Sequence, residues 1–504
     1  MDYAGLKTPG VYINEISTLP ASIVAVETAI PAFIGFAEKL MSNGFNHFKD
    51  DGSSPAYRRI SSMKEYEDIF GGSYLNEVKV TTTVTDNKSK VKDGSGAKEV
   101  LDSRTMTTNY TTKPQYVLYY QMQMFFANGG GPCYVVMVNS YVWAKAKSDS
   151  DKKKMLQAGL EMLKTLDEPT LILFPDAHFL KGDMYGLYES ALLQCELLKD
   201  RFVIMDVLPK GDATGGEDAA DFFRKLSSPS LKYGAAYYPN LKTRLNYDYS
   251  PSNVTISHVK NLTDLTVAPT VPPTPPVVTP GAGDLDGKKL SDLVAGSEVY
   301  NQILAQLDTQ RVELPPSCTI AGIYAAVDNA RGVWKAPANV GVGNVAGLTV
   351  EMNDLDQQNF NVDATSGKSI NVIRSFVGRG TVVWGARTLD GNNNEWRYIP
   401  VRRFFNMVEE SVKKAMGFYV FEPNDANTWV KLKAGIENFL TLQWRAGALQ
   451  GGKPEQAFFV SIGLGQTMSA FDILEGRLII RIGMAVVRPA EFIILEFTHM
   501  LAQS

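Results

Sequence analysis

The nearest approach to a phosphate-binding loop in this chain is Val362-Asp363-Ala364-Thr365-Ser366-Gly367-Lys368-Ser369, which ends in Gly-Lys-Ser but has Val where the first glycine belongs. Anion cradling needs a loop that feeds a helix, so that the helix's first amides point at the phosphate. Here the motif runs into the β-prone stretch Ile370–Arg374, and a solvated turn is expected. Gly341-Val342-Gly343 and Gly463-Leu464-Gly465 lack the third glycine of a dinucleotide loop and also read as turns. The histidines, His47, His178, His258 and His499, form no i, i+4 pair, and no GxSxG elbow occurs. Asp354 and Asp356 are a possible acid–base pair, but they sit in an Asn/Gln-rich segment where solvated loop carboxylates are the expectation, and nothing brings a second carboxylate group into a cleft with them. Cys133, Cys195 and Cys318 are odd in number, far apart and without CxxC spacing, which argues against zinc and against a disulfide framework, and for folding in a reducing compartment. No catalytic residue, metal or cofactor is expected.

With 50 basic and 54 acidic residues, the net charge of −4 gives no overall field for a polyanion, so direct nucleic-acid binding is not expected. The first residues, MDYAGLKTPGVYINEI, show neither a basic region followed by an apolar core nor a small-residue cleavage site, so no secretory signal is expected. No apolar run reaches 18 residues; Leu478–Phe497 is broken by Arg481, Arg488, Pro489, Glu491 and Glu496, and membrane insertion is not expected.

A chain of 504 residues exceeds one ordinary core, and about three domains are expected on size alone. Between Pro114 and Pro239, short apolar runs at Cys133–Val138, Thr170–Phe174, Phe202–Asp206 and Ala235–Tyr238 alternate with helical patterns at Lys154–Leu166, Tyr185–Leu198 and Ala219–Leu226. That order predicts a largely parallel α/β sheet. Tyr116, Tyr120 and Met124, at four-residue spacing, predict a helix before it. Two stretches interrupt the order. Val78–Thr112, dense in Thr, Lys, Asp and Ser, reads as a surface insertion, and 241–286, with Val271-Pro272-Pro273-Thr274-Pro275-Pro276, as a peripheral loop or linker. Towards the C-terminus, Phe404, Val408, Val412 and Met416, then Trp429, Leu432, Ile436, Phe439 and Leu440, predict two amphipathic helices. Strand-like segments follow at Gln456–Ile462, Leu478–Val487 and Phe492–Thr498, the last two forming a hairpin through Arg488-Pro489-Ala490-Glu491.

The expected fold class is therefore α/β and α+β multidomain: a largely parallel α/β region plus a C-terminal α+β domain with extended strand arms at both ends. The divisions are 1–40, an arm and the start of the core; 41–115, a variable outer insertion; 116–240, the α/β domain; 241–310, a Pro-rich insertion or linker; and 311–504, the C-terminal core domain with its terminal hairpin arm.

At the N-terminal end, Val11-Tyr12-Ile13-Asn14-Glu15-Ile16 is β-prone, and such a strand needs a partner, because an unpaired edge exposes a row of backbone donors and acceptors. At the other end, Leu478, Ile480, Ile482, Met484 and Val486 mark one strongly apolar face, followed by Phe492, Ile494 and Leu495. An internal sheet and strand addition between chains use the same hydrogen bonds, so both stay open. Lys413, Lys414, Lys431 and Lys433 lie on the polar faces of the two C-terminal helices, as a solvated surface or as a cationic contact for an acidic partner. Trp334, Trp384 and Trp396 read as packing anchors.

Thr8-Pro9-Gly10-Val11-Tyr12-Ile13-Asn14-Glu15-Ile16, the run Phe125–Val136 (FFANGGGPCYVV), Pro175-Asp176-Ala177, Lys232–Pro239 (KYGAAYYP), the stretch Val312–Asp390 and Arg488-Pro489-Ala490-Glu491-Phe492, all in one order, resemble the sheath subunits of contractile phage tails and related injection systems. The resemblance implies a structural, non-enzymatic subunit. It would polymerise with itself as stacked six-membered rings in a helical tube around an inner tube protein, and contraction would drive that tube through a target envelope. It further implies that Val11–Ile16 and Leu478–Phe497 are arms exchanged between subunits, that the four lysines are candidates for inner-tube contact, and that the two insertions decorate the outside. Baseplate and tail-terminator or cap proteins would be further partners, as would an AAA+ ATPase. Cytoplasmic assembly would precede incorporation into a phage tail or tail-like particle, including particles released outside the cell. The competing readings are a hydrolase or transferase using 114–239, and a particle-displayed adhesin.

Overall fold

The computed structural model describes residues 23–42, 45–46, 55–75, 77–94, 96–209, 219–266 and 278–494. In chain order the elements that matter are strand β1 (Pro31–Ala37), β2 (Ala56–Ile60), helix α1 (Met63–Phe70), β3 (Lys79–Asp93), β4 (Gly96–Thr112), α2 (Leu118–Ala127), β5 (Cys133–Ser140), α3 (Asp149–Leu163), β6 (Leu171–Leu173), α4 (Met184–Leu198), β7 (Phe202–Asp206), α5 (Ala219–Lys225) and β8 (Gly234–Tyr238). They continue with β9 (Leu241–Asn246), β10 (Val254–Asp264), β11 (Val278–Ala282), α6 (Glu298–Leu307), β12 (Arg311–Leu314), α7 (Ser317–Arg331), β13 (Val340–Gly341), β14 (Val345–Leu348), α8 (Asp354–Asn361), β15 (Ile370–Phe376) and β16 (Gly380–Val383). The last group is α9 (Ile399–Met416), α10 (Ala426–Arg445), β17 (Phe458–Ser461), α11 (Ala470–Leu474) and β18 (Arg481–Met484). The chain divides into two compact units, one of residues 29–330 and 336–399, the other of 1–28, 331–335 and 400–504.

The larger unit is built on a nine-stranded sheet in the order β13-β16-β15-β8-β7-β6-β1-β5-β2. The six strands from β15 to β5 run parallel, and β2, β16 and β13 close the two ends antiparallel. The expected parallel α/β region is therefore present, and it recruits strands from both sides of the 114–239 stretch. Parallel strands are covered on both faces, which is why their residues are apolar almost without alternation. Even so, the two faces separate residue by residue. Phe33, Val135, Leu171, Ile204 and Tyr237 enter the layer with α2 and α7, while Ile34, Val136, Ile172, Val203 and Ala236 enter the layer with α3 and α4. Glycine sets the spacing of these layers. A Cβ on Gly159 of α3 would fall 2.6 Å from Ile34, and one on Gly322 of α7 would fall 2.5 Å from the carbonyl oxygen of Phe125 in α2.

The two interrupting stretches form regular structure rather than loops. β3 and β4 make a long hairpin, and β10 from the second stretch lies parallel to β3 in register from Val254 opposite Val80 to Asp264 opposite Lys90. With β11 at the far edge this gives a four-stranded sheet, β11-β10-β3-β4, and the sheet packs on α6 through Val80, Val84, Val254, Ile256, Ile303 and Leu307. The linker expectation for 241–286 fails because its strand partner lies more than 150 residues earlier. β9 sits between β12 and β14 in a separate antiparallel sheet, and the Pro-rich 271–276 lies outside the described residues.

In the smaller unit, α9 and α10 confirm the two predicted amphipathic helices, and β17 pairs antiparallel with β18. Residues 23–28 run beside α9: the amide of Val26 donates to Ser411 Oγ at 3.0 Å, and Arg403 donates to the Thr28 carbonyl at 2.9 Å. The expected terminal hairpin falls partly outside the described residues, which leave out 495–498. β18 is confined to Arg481–Met484 and pairs backwards with β17, and residues 491–494 are in no strand. Phe459 and Gly483 explain the choice, since the Phe459 ring covers Gly483 so closely that any Cβ there would collide with it.

Candidate functional site

In a parallel sheet, chemistry is expected just beyond the C-terminal ends of the strands. Two acids stand there. Asp176 follows β6 by a short turn and is fully buried; its Oδ1 accepts the amides of Val117 (2.6 Å) and Leu118 (3.0 Å) at the start of α2, and its Oδ2 accepts the amide of Phe36 (2.8 Å). Asp206 ends β7 and accepts the amide of Ser317 (2.8 Å) and its hydroxyl (2.6 Å) at the start of α7. Burial pushes each carboxyl up to about 7, against the donors that pull it down. Each acid thus fastens one helix N-terminus to the sheet, where the helix dipole favours a carboxylate. With every carboxylate oxygen engaged by backbone or Ser317, the arrangement holds helices in place. Sequence reading placed Asp176 in the motif Pro175-Asp176-Ala177 and Asp206 at the end of an apolar run but gave neither a role, because no local spacing shows which helix start each one meets.

The other chemical groups are equally committed. Lys368 of the Gly-Lys-Ser turn points inward and donates to the Phe223 carbonyl at 2.5 Å, and β15 follows the turn as expected. Asp354 and Asp356 lie in the first turn of α8 rather than in a loop: Asp356 completes a capping box with Asn353, and Asp354 pairs with Arg374 at 2.7 Å. All three cysteines are free and buried, and burial raises their thiols well out of the reactive range. Among the described residues, no group of three or more His, Cys, Asp or Glu is placed to hold a metal, and no helix is long and apolar enough to cross a membrane. Trp334 packs edge-on against Phe404, Trp384 against Phe376, and Trp396 beneath Lys232.

The smaller unit presents a different surface. Lys413 and Lys414 in the last turn of α9 both reach Glu410, at 3.0 and 3.5 Å, and Lys433 on α10 reaches Glu437 at 3.8 Å, while Lys431 is exposed. Ile482 and Met484 are half-buried in β18, Leu478 and Ile480 pack against Leu432 and Met468, and Val486 forms an isolated bridge with Leu449. Beyond them Phe492 and Ile494 are 73% and 83% exposed. Val11, Tyr12, Ile13, Asn14, Glu15 and Ile16 lie outside the described residues, as does Leu495.

Among the described residues, these acids, Lys368 and the thiols are engaged or sealed by the fold, while the smaller unit carries outward apolar side chains and paired surface charges. Comparison with known proteins shows what the chain is similar to. Residues 391–499 match the family described as the phage tail sheath C-terminal domain. A stretch of 128 residues is 30% identical to the tail sheath protein of Vibrio phage KVP40, and one of 130 residues is 30% identical to that of Enterobacteria phage T4; each covers 25% of this chain and 19% of the relative. Over its whole length the chain is similar to solved assemblies. It is 29% identical, with a TM-score of 0.60, to a chain of the anti-feeding prophage helical sheath in the contracted state, covering 98% of this chain and 99% of that one. A chain of the contracted sheath complex of the extracellular contractile injection system PVC gives 29% identity, a TM-score of 0.59 and 98% coverage of both. The chain is thus similar to contractile sheath subunits along 98% of its length, and its residues 391–499 match the tail sheath C-terminal domain.

Proposed function

We propose that this chain is the repeating subunit of a contractile sheath: it polymerises with itself as a helical tube around an inner tube and shortens to drive that tube through a target envelope. The observation that carries this reading is the similarity along 98% of the chain to the subunit of a contracted helical sheath. A heterologous contact repeated without ring closure gives an open helix, so one sequence suffices for a cylinder. Contraction then requires two packings of that contact, with the extended form metastable.

The terminal segments would tether neighbours through such a change. Among the described residues the β17–β18 sheet has two strands only, and a two-stranded ribbon is marginal alone, so borrowed strands from Val11–Ile16 and Leu478–Phe497 of other copies would complete it. α9 and α10 would offer Lys413, Lys414, Lys431 and Lys433 to acidic groups on the inner tube, with a baseplate and a terminator or cap at the ends and an AAA+ ATPase acting on spent sheath. The insertion sheet β11-β10-β3-β4 would be outer decoration. Assembly would occur in the cytoplasm before the particle is released.

Negative-stain microscopy of the overproduced protein tests the reading. Long hollow tubes of uniform width are expected, and deletion of Met1–Ile16 is expected to leave a folded subunit that forms none. A full-length protein that stays monomeric under all conditions refutes the sheath reading; tubes from the truncated protein refute the arm assignment alone.

A further inference from the structure

The two insertions meet at one buried polar cluster. Asp86 on β3 is 1% exposed and accepts Arg104 of β4 twice, from Nε at 2.6 Å and Nη2 at 2.8 Å. From the second insertion, His258 on β10 brings Nε2 to 3.2 Å from Oδ2 of the same carboxylate. Its other nitrogen, Nδ1, accepts the amide of Leu285 at 3.2 Å. An amide can only donate, so Nδ1 carries the lone pair and the ring proton sits on Nε2, towards Asp86.

Leu285 belongs to a strap, residues 283–288, that is laced to β10. Gly283 donates to the His258 carbonyl (2.8 Å), the His258 amide donates to Asp286 (2.9 Å), Gly287 donates to the Ile256 carbonyl (2.9 Å) and the Ile256 amide donates to Lys288 (2.8 Å). The strap lies so close to the imidazole that a Cβ on Gly283 would fall 2.3 Å from two ring atoms. The charged groups around the ring are Asp86 from β3, Arg104 from β4, with Glu298 of α6 acting on that arginine, and Asp286 from the strap itself.

We propose that His258 is a proton-operated catch, holding the strap over the outer sheet while its ring is neutral and releasing it when the ring is protonated. The second proton must go to Nδ1, where it faces the Leu285 amide, donor against donor, with no space under Gly283 for the ring to turn aside. The charged ring is at the same time drawn to Asp86. The Arg104 guanidinium holds the Asp86 carboxyl below its ordinary range, so this attraction persists in mild acid. Acidification would then free the strap while the strands beneath it stay paired.

Hydrogen exchange of the full-length protein at pH 8 and pH 5, with rates divided by those of unstructured reference peptides, tests this. Protection in the 283–288 segment is expected to fall about tenfold at pH 5, the equilibrium effect of losing one hydrogen bond of ordinary strength, while β8 is unchanged. His258→Asn puts an acceptor near the position of Nδ1 that takes up no proton, and its strap is expected to stay protected at both pH values. Nitrogen-15 shifts of labelled histidine in the unaltered protein, a measurement that needs no variant, are expected to show the Nε2–H tautomer at pH 8. An Nδ1–H tautomer, an unchanged strap in the wild type, or an equal fall in His258→Asn would each overturn the proposal.

Discussion

The parallel sheet and the C-terminal α+β unit treat their side chains in opposite ways. In the sheet, groups that would be reactive elsewhere are consumed by the fold: Asp176 and Asp206 hold helix starts, Lys368 is drawn inward, and three thiols are sealed. In the unit of α9, α10, β17 and β18, large apolar side chains are left outside, among them Phe418, Phe421, Phe471, Leu474, Phe492 and Ile494. Burying a side chain of that size is worth about 2 kcal/mol, so leaving several exposed on one small unit forfeits an amount comparable with a domain's net stability. The difference teaches that one region commits its polar groups to its own packing, while the other leaves apolar surface outside, as the proposed assembly would require.

The contrast is broken most directly at the exposed end. Phe492→Asp with Ile494→Asp is expected to abolish tube formation, scored by microscopy, and to shift Tm by no more than about 2 °C, because exposed positions contribute little to the isolated subunit. A large fall in Tm would show that these residues already belong to the chain's own core. The reverse is expected at the sheet. Asp176→Ala orphans three buried amides at the start of α2 and at β1, and should cost about 3 kcal/mol in denaturant unfolding.

Arg104→Met should have a smaller effect, about 2 kcal/mol, because Arg104 is itself partly exposed while Asp86 is left buried without its main partner. The pairing also fixes a pH dependence. Asp86 has its folded value lowered by Arg104, so it contributes stability at pH values above the ordinary carboxyl range, and this is lost as pH falls through the folded value. Thermal melts of the wild type below pH 4 should show that loss in the outer sheet, and Arg104→Met should lack it.

The same contrast accounts for what could be read from the sequence. The apolar runs at 133–138, 202–206 and 235–238 identify strands β5, β7 and β8 because a parallel strand is enclosed on both faces by its own chain. The helices α9 and α10 were legible from their period of 3.6. The outer sheet was not, since Thr81, Thr83 and Thr85 alternate with buried Val80, Thr82 and Val84 in a pattern of low contrast, and β10 supplies the pairing from far along the chain. Asp176 and Asp206 were illegible for another reason: their role depends on which helix starts lie beside them, a fact of topology that no local spacing encodes. Alternation at Leu478–Val487 shows that a strand there needs pairing without showing with what: β18 pairs with β17, and of the expected partner 492–498 only residues 492–494 are described.

The finest discrimination concerns the lysines of α9 and α10. Surface pairs such as Lys413–Glu410 and Lys433–Glu437 contribute about 0.5 kcal/mol or less, since exposed charges are screened and the side chains lose freedom on pairing. Lys413→Ala, Lys414→Ala and Lys433→Ala should therefore leave the subunit's stability unchanged within that margin. If the lysines meet an acidic inner tube, the triple variant should still unfold like the wild type but should assemble around tubes more weakly, and the salt dependence of that assembly should become shallower. An unchanged salt dependence would assign the lysines to the solvated face.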